Sequence, residues 1–115
     1  MTYIVQNNVL FQKDYRIAVN QTVAEYALSN ISSLDPNLTI GVAAINGKLF
    51  ELNLSAAIIF EEISLGKNPV EIASIFSSIY DGNNDEERER IKTSIEHCIN
   101  TLLSIGLVKH TQDNH

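Results

Sequence analysis

The change of hydrophobic period at Asn53 constrains the fold more than any other feature of this sequence. Up to Leu52, apolar residues alternate with others, as they do along a strand. Asparagine is a favoured helix N-cap, because its side-chain oxygen can accept a hydrogen bond from a first-turn N–H. The sequence therefore predicts a strand that ends at Asn53 and a helix that begins there. The helix would bury one face at spacing i, i+3, i+4 and i+7, formed by Ala56, Ile59, Phe60 and Ile63.

The dipeptide Asn46-Gly47 predicts a hairpin just before this point. Asn-Gly is the strongest two-residue hairpin signal, because a type I′ turn needs positive φ at both positions. We therefore expect strands near residues 39–45 and 48–53. Alternate side chains of the second strand share a face, which groups Phe50 with Leu52 and Leu49 with Glu51.

Two further helices are predicted downstream, each with its own start signal. Asn68, Pro69 and Glu71 fit the N-cap, N1 and N3 positions of a capping box, and the tract YDGNND ends that helix. The next helix runs from about Asp85 to Ile105, with acidic residues in its first turns where the helix dipole favours them. The glycine that follows suits the left-handed residue after a helix.

The N-terminal part is less determined by its sequence. In TVAEYALSNISS, Thr22 and Glu25 fit a helical capping box, whereas Tyr26 and the Ser/Asn pattern fit a strand. We favour a strand near residues 25–32. The run NVLFQKDYRIAV is expected to hold further extended structure. The elements together predict an α+β domain: a three-stranded antiparallel sheet followed by three helices.

Length and composition fit one globular domain, with 115 residues of which 44% are hydrophobic. We expect residues 1–24 to be an N-terminal extension that is either extended or a strand, residues 25–108 to be the domain, and residues 109–115 to be a flexible tail. The single cysteine excludes an internal disulfide. Neither a signal peptide nor a bilayer-spanning run is recognisable, so we expect a cytoplasmic protein.

The net charge of −6 is carried by residues 51–115, because residues 1–50 hold three basic and three acidic side chains. Nucleic-acid binding normally needs a basic stripe, and none is visible. Anionic membranes are disfavoured as partners for the same reason.

No residue pattern predicts catalysis or a metal. His97 and Cys98 are adjacent on a predicted helix and point about 100° apart, so they do not form a nucleophile–base pair. Cys98 lies on the apolar stripe and is expected to be a buried structural thiol. The histidines of the tail lack metal-ligand spacing to it. Glu61-Glu62 is expected to lie on a solvated helix face. Phosphate-binding loops and nucleophile elbows are absent, so we expect a non-catalytic protein without cofactor or metal.

The run LFELNLSAAIIFEEISLGKNPVEIASIF, followed by IEHCINTLLSIGLV, resembles the PqqD family, whose members are also called RiPP recognition elements. The similarity covers about residues 39–108. It implies a three-stranded antiparallel sheet followed by three helices, akin to a winged helix. The matching features are Leu52-Asn53, Ala56-Ala57, Phe60, Gly66, the run Val70-Glu71-Ile72-Ala73, and Gly106-Leu107-Val108.

The resemblance implies that the protein binds the leader of a ribosomally made precursor peptide. The leader would add as a strand to residues 48–52, pack against the third helix, and be presented to a modifying enzyme such as a radical SAM enzyme. The groove residues implied are Lys48, Leu49, Phe50, Glu51 and Leu52 on the strand, with Ile91, Lys92, Ile95 and Ile99 on the helix.

Several of these residues have an alternative role. Ile91 and Ile95 fit core packing as well as a groove, and Phe50 favours the core. Lys48 and Lys92 fit pairing with acidic leader residues, but solvated lysines are the favoured interpretation. Alternatives for the whole protein are a winged-helix regulator, disfavoured by its acidic third helix, and a structural or dimerisation subunit of a larger enzyme. A homodimer is also compatible with the N-terminal extension, which can cover a sheet edge in cis or swap between two copies.

Overall fold

A computed structural model describes residues 2–80 and 83–111, which form an α+β fold. A 3-10 turn over Ile31–Ser33 separates the first helix from the third strand. The described elements are, in chain order, β1 (Tyr3–Val5), β2 (Leu10–Lys13), α1 (Val23–Ser29), β3 (Thr39–Ile45), β4 (Lys48–Asn53), α2 (Leu54–Ser64), α3 (Pro69–Tyr80), α4 (Asp85–Ser104) and β5 (Val108–His110).

The main sheet is three-stranded and antiparallel, with β3 in the centre and β2 and β4 at its edges. The predicted hairpin and the limits of its two strands are confirmed. Asn46 and Gly47 have φ of 51° and 77°, as a type I′ turn requires. The register places Ile45 opposite Lys48, so the turn contains two residues.

A second, two-stranded sheet joins the ends of the described chain. β1 pairs antiparallel with β5, and Ile4 lies opposite Lys109. The rings of Tyr3 and His110 lie with their centroids 5.0 Å apart. Residues 109–110, expected in a flexible tail, are therefore paired as strand, while residues 112–115 lie outside the described part.

The predicted helix starts are confirmed. Asn53 caps α2, since its Oδ1 accepts a hydrogen bond from the N–H of Ala56 at 3.0 Å. Asn68 and Glu71 form a reciprocal pair before α3, with distances of 2.9 and 3.0 Å. Asn84 caps α4 by accepting from an N–H of its first turn at 2.8 Å. Local sequence chemistry sets these three boundaries.

The helix end predicted after α4 is also confirmed. Gly106 has φ of 86°, and its N–H donates to the C=O of Leu103. The N–H of Leu107 donates to the C=O of Leu102 at 3.0 Å, which completes a Schellman motif. Leu107 is fully buried. The motif therefore turns the chain directly into β5.

The predicted strand near residues 25–32 is wrong, because this segment forms α1. Both bonds of the capping box are present: Glu25 N–H to Thr22 Oγ1 at 3.0 Å, and Thr22 N–H to Glu25 Oε1 at 2.9 Å. Val23, Ala24 and Ala27 are buried on one side of the helix. The capping box and this packing outweigh the strand propensity of the segment.

The third sheet strand is β2, which lies inside the segment expected to be an extension. It falls in the run predicted to hold extended structure, whereas residues 15–17 form a turn and bend. Phe11 of β2 contacts the ring of Phe60 on α2, with centroids 5.0 Å apart. It also passes over Gly41, where an added Cβ would lie 2.6 Å from the Phe11 ring. Glycine at 41 thus lets β2 close onto β3.

Helix α2 occupies the centre of the core, where Ala57, Ile58 and Ile59 are almost completely buried. Contrary to the expected solvated face, Glu61 and Glu62 are also buried, with 8% and 4% exposure. Their helix is enclosed by the sheet, β1, α1 and α4 rather than lying at the surface. The chain therefore passes at Asn53 directly from the edge strand β4 into α2, the most buried helix.

Candidate functional site

The outer edge of β4 has no strand beside it within the described part of the chain. In a two-residue hairpin, the residues flanking the turn form a hydrogen-bonded pair, and such pairs alternate along antiparallel strands. Ile45–Lys48 is that pair here, so the main-chain groups of Phe50 and Leu52 also face β3. The main-chain groups of the residues that alternate with Lys48, Phe50 and Leu52 face outward.

Leu49 and Glu51 are these outward residues, so their N–H and C=O groups point to the open edge. An independent contact supports the alternation. The N–H of Asp14, which follows β2, donates to the C=O of Ile40 at 2.7 Å. Ile40 of β3 therefore faces β2, and its neighbour Gly41 faces β4. Four main-chain groups are thus available at the edge of β4.

A groove of about 820 Å³ lies beside this edge. β4 forms one wall and the C-terminal half of α4 forms the other. The start of α2 and the segment around the beginning of β3 complete the lining. The residues that line it are Asn37, Thr39, Val42, Leu49, Phe50, Glu51, Leu52, Asn53, Ala56, Cys98, Thr101, Leu102 and Ile105.

The α4 wall of the groove is predominantly apolar. Cys98, Leu102 and Ile105 line it together with the hydroxyl-bearing Thr101. Burial raises the pKa of the Cys98 thiol to about 11, so this thiol is uncharged at neutral pH. On the opposite wall, Leu49 remains 73% exposed. The groove therefore offers apolar surface on both sides of main-chain donors and acceptors that have no strand partner among the described residues.

The structure brings four of the expected strand residues into the groove lining: Leu49, Phe50, Glu51 and Leu52. Phe50 is half-buried and packs against the core, and Leu52 is 3% exposed. Lys48 is exposed at the turn and does not line the groove. The strand side of the expected site is thus largely assembled in one place.

The expected helix residues do not line this groove. Ile95 and Ile99 are each 2% exposed and belong to the core, and Ile91 is half-buried against it. Lys92 lines a separate groove of about 570 Å³ between α3 and α4, where Ile95 contributes too.

The helix residues that do line the β4 groove lie further along α4. Cys98, Leu102 and Ile105 continue the apolar stripe that begins with Ile91 and Ile95, in which successive members are spaced 4, 3, 4 and 3 residues apart. The sequence signal for this face was therefore present. Periodicity identifies the face of a helix, but it does not show which turn of that helix lies level with a strand.

Metal ligation finds no support in the side-chain arrangement. Among residues 2–80 and 83–111, no three or more His, Cys, Asp or Glu residues are grouped so that they could hold an ion. His97 is exposed on α4, and His115 lies outside the described residues. No helix of the described chain has both the length and the apolar character needed to cross a membrane.

Comparisons of the chain with protein-family models, with curated proteins and with solved structures found no match. The resemblance to the PqqD family therefore depends on the residues quoted above. The open edge of β4 and the groove beside it are the structural features that bear on function.

Proposed function

We propose that this protein is a PqqD-like, non-catalytic peptide chaperone. The leader of a ribosomally synthesised precursor peptide adds as a fourth strand to β4 and lies in the groove between β4 and α4. The observation that carries this proposal is the coincidence of an open strand edge with an apolar groove on the same side of the molecule. Strand addition uses both: main-chain bonds supply affinity, and side-chain pockets set the register.

The main-chain groups alone are too weak for a specific complex. The two N–H and two C=O groups of Leu49 and Glu51 would each contribute about 1 kcal/mol net when paired. Micromolar affinity needs ~8 kcal/mol, and association itself costs further free energy. The apolar walls must therefore supply at least as much as the strand pairing.

The α4 wall is suited to supply this additional binding free energy. Burying one Leu- or Ile-sized side chain contributes about 1.5–3 kcal/mol. Alternate residues of an added strand point to the same side, so residues two apart would both reach Cys98, Leu102 and Ile105. Two such side chains together contribute ~3–6 kcal/mol, at least about as much as the four main-chain bonds. The groove and the edge thus act together.

The chaperone delivers the core peptide to the enzyme by holding the leader to which the core is attached. A leader held on β4 keeps the attached core peptide at roughly millimolar local concentration near an enzyme bound to the same chaperone. The partners we propose are the precursor leader and a modifying enzyme, such as a radical SAM enzyme, in the cytoplasm. Within this proposal the domain is winged-helix-like, with the β3–β4 hairpin as the wing beside α2, α3 and α4.

A DNA-binding role fits the surface less well. The first turn of α4 carries Asp85, Glu86 and Glu87. A winged-helix regulator would bring such a helix against phosphates, which repel these carboxylates. Peptide binding at β4 leaves the acidic end of α4 away from the groove, whose lining begins at Cys98 on that helix.

The decisive experiment removes one outward N–H from the edge. Glu51→Pro deletes that donor without removing a bond to β3, whereas the matched control Glu51→Ala keeps the N–H. The probes are synthetic N-terminal segments of short precursors encoded near the gene. We expect Glu51→Pro to weaken leader binding at least about tenfold relative to Glu51→Ala, through the lost bond and the bulk of the proline ring.

Circular dichroism would first establish that both variants fold. Amide NMR shifts measured on the unmodified protein provide a readout that does not depend on the two variants. The expected result is that the amides of Leu49 and Glu51 shift on titration. A leader that binds without moving any β4 amide would overturn the proposal.

A further inference from the structure

We propose that Glu51 selects a basic residue in the bound peptide, between two apolar residues that face α4. This inference rests on the proposed strand addition and specifies which peptides the groove accepts. The ligand is an extended segment in which Lys or Arg is flanked on both sides by apolar residues. The α4 wall selects the apolar residues at the flanking positions, and Glu51 selects the basic residue at the central position.

The sheet register fixes which way each position points. Side chains directly opposite one another in an antiparallel sheet share a face. Val42 lies opposite Glu51, and Ala44 opposite Leu49, so these four side chains form the outer face. Phe50 shares the other face with Ala43, which is fully buried. A peptide residue opposite Glu51 therefore points outward, and its two neighbours point toward the α4 side.

Among the described residues that line the groove, Glu51 carries the only charge. It is exposed, and no ion pair of the described residues involves it. Its cross-strand neighbour, Val42, cannot neutralise it. An added strand would bring one more side chain to the other flank of Glu51. Opposite charges at directly opposite positions stabilise a sheet, and like charges destabilise it.

The α4 side rejects charge for a different reason. Cys98, Leu102 and Ile105 provide no charged group to pair with a buried ammonium or carboxylate. The raised pKa of the Cys98 thiol keeps that side chain neutral as well. A basic residue is thus admitted opposite Glu51 and excluded one position to either side. Specificity comes from attraction at one position and rejection at its neighbours.

The overall charge distribution adds to this selection. Residues 51–115 carry the whole net charge of −6, while residues 1–50 sum to zero. These residues include the C-terminal part of β4 and all of α4. A net negative charge raises the concentration of basic peptides around the whole protein and accelerates their association at low salt. Acidic segments would be disfavoured before they reach the groove.

The two selective effects differ in size. An exposed cross-strand ion pair changes Kd by about two- to five-fold. Placing an unpaired charge against the apolar wall weakens binding by more than tenfold. We therefore expect a moderate preference for Lys or Arg opposite Glu51 and a strong exclusion of charge from the flanking positions.

Selection from random peptides tests this pattern directly. A display library of random ten-residue peptides is selected on the full chain, on Glu51→Gln and on Glu51→Lys. Peptides that shift the amides of β4, or that lose binding in Glu51→Pro, are assigned to the edge. We expect these edge peptides to carry a basic residue between apolar ones with the unmodified chain. The basic preference should disappear with Glu51→Gln and become acidic with Glu51→Lys.

Synthetic pairs of one selected peptide, with Lys or Glu at the central position, give the quantitative readout. The order of their affinities should reverse between the unmodified chain and Glu51→Lys. Edge peptides without any charge preference, or with no reversal, would overturn the role of Glu51 and leave the proposed function intact. Failure to obtain any edge-bound peptide would overturn the proposed strand addition itself. The two failures are therefore distinguishable.

Discussion

The ammonium group of Lys13 lies 2.9 Å from the carboxylate of Glu61 and ties the edge strand β2 to the central helix α2. The same ammonium donates to the C=O of Gln21 at 2.6 Å. The other carboxylate oxygen of Glu61 accepts from the N–H of Val23, at the start of α1, also at 2.6 Å. One carboxylate thus links α2 to β2 and to the start of α1, which lie 38 or more residues earlier in the chain.

Removing this carboxylate should destabilise the fold. Glu61→Ala removes the only carboxylate paired with Lys13 among the described residues and leaves the fully buried N–H of Val23 without its acceptor, so we expect a loss of about 2–3 kcal/mol in the free energy of unfolding. Urea denaturation followed by circular dichroism measures it. Arg90→Ala is the control, because its ion pairs with α4 carboxylates are exposed and should change stability by less than ~0.5 kcal/mol. Equal effects of the two changes would contradict the bridging role of Glu61.

Adding a methyl group at Gly41 should push β2 away from β3. An ideal Cβ there lies 2.6 and 2.9 Å from two atoms of the Phe11 ring. We expect Gly41→Ala to cost about 1–3 kcal/mol through this overlap. In a double-mutant cycle, Phe11→Ala should relieve part of that cost, so the two changes would not be additive. Strict additivity would show that the ring is not the obstacle.

Glu62 should make the protein less stable as pH rises through the acid range. Burial, and secondarily the charge of Glu61, raise the pKa of Glu62 above its ordinary value of 4.5. The folded state then holds the proton more tightly than the unfolded state, so this contribution falls as pH rises above about 4.5. Glu62→Gln should be stabilised relative to the unmodified protein at pH 7, with a smaller difference at pH 4. A difference independent of pH would contradict the titration.

Cys98 should report on occupancy of the groove. Because burial raises its pKa from 9.0 to about 11, its thiolate fraction at neutral pH is about a hundredfold below that of an ordinary thiol. Alkylation by iodoacetamide should therefore be slow in the folded protein and fast in urea. A peptide bound along β4 should slow it further. Cys98 is the only cysteine, so mass spectrometry of the intact chain follows the reaction directly.

Features set by local chemistry could be predicted from the sequence. The turn at Asn46-Gly47 and the caps at Asn53 and Asn68 depend on a few neighbouring residues, and the structure has them where the sequence places them. The segment after Thr22 carried two local signals. Burial of Val23 and its neighbours against the other helices decided between them, and no local pattern contains that contact.

The same difference between local signals, which the sequence contains, and packing contacts, which it does not, applies to the groove. Alternation along β4 was enough to group Leu49 with Glu51, because a strand has only two faces. On α4 the apolar stripe is continuous, so the sequence does not show which turn of the helix lies beside β4. That depends on how α2 packs between the sheet and α4. The position of the groove near Cys98 rather than Ile91 is therefore a property of the packed fold.

The short β1–β5 ladder has a mechanical consequence. Thr2 and Thr111, just beyond its outer pair, lie together with their hydroxyl oxygens 2.6 Å apart. Because the strands are antiparallel, a force that separates these two residues loads Tyr3–His110 first, then Ile4–Lys109, then the pair of valines. The ladder would open like a zipper, one pair at a time, at low force. The hairpin that carries β4 lies outside this line of tension, so a tethered or stretched chain would retain the open edge of β4.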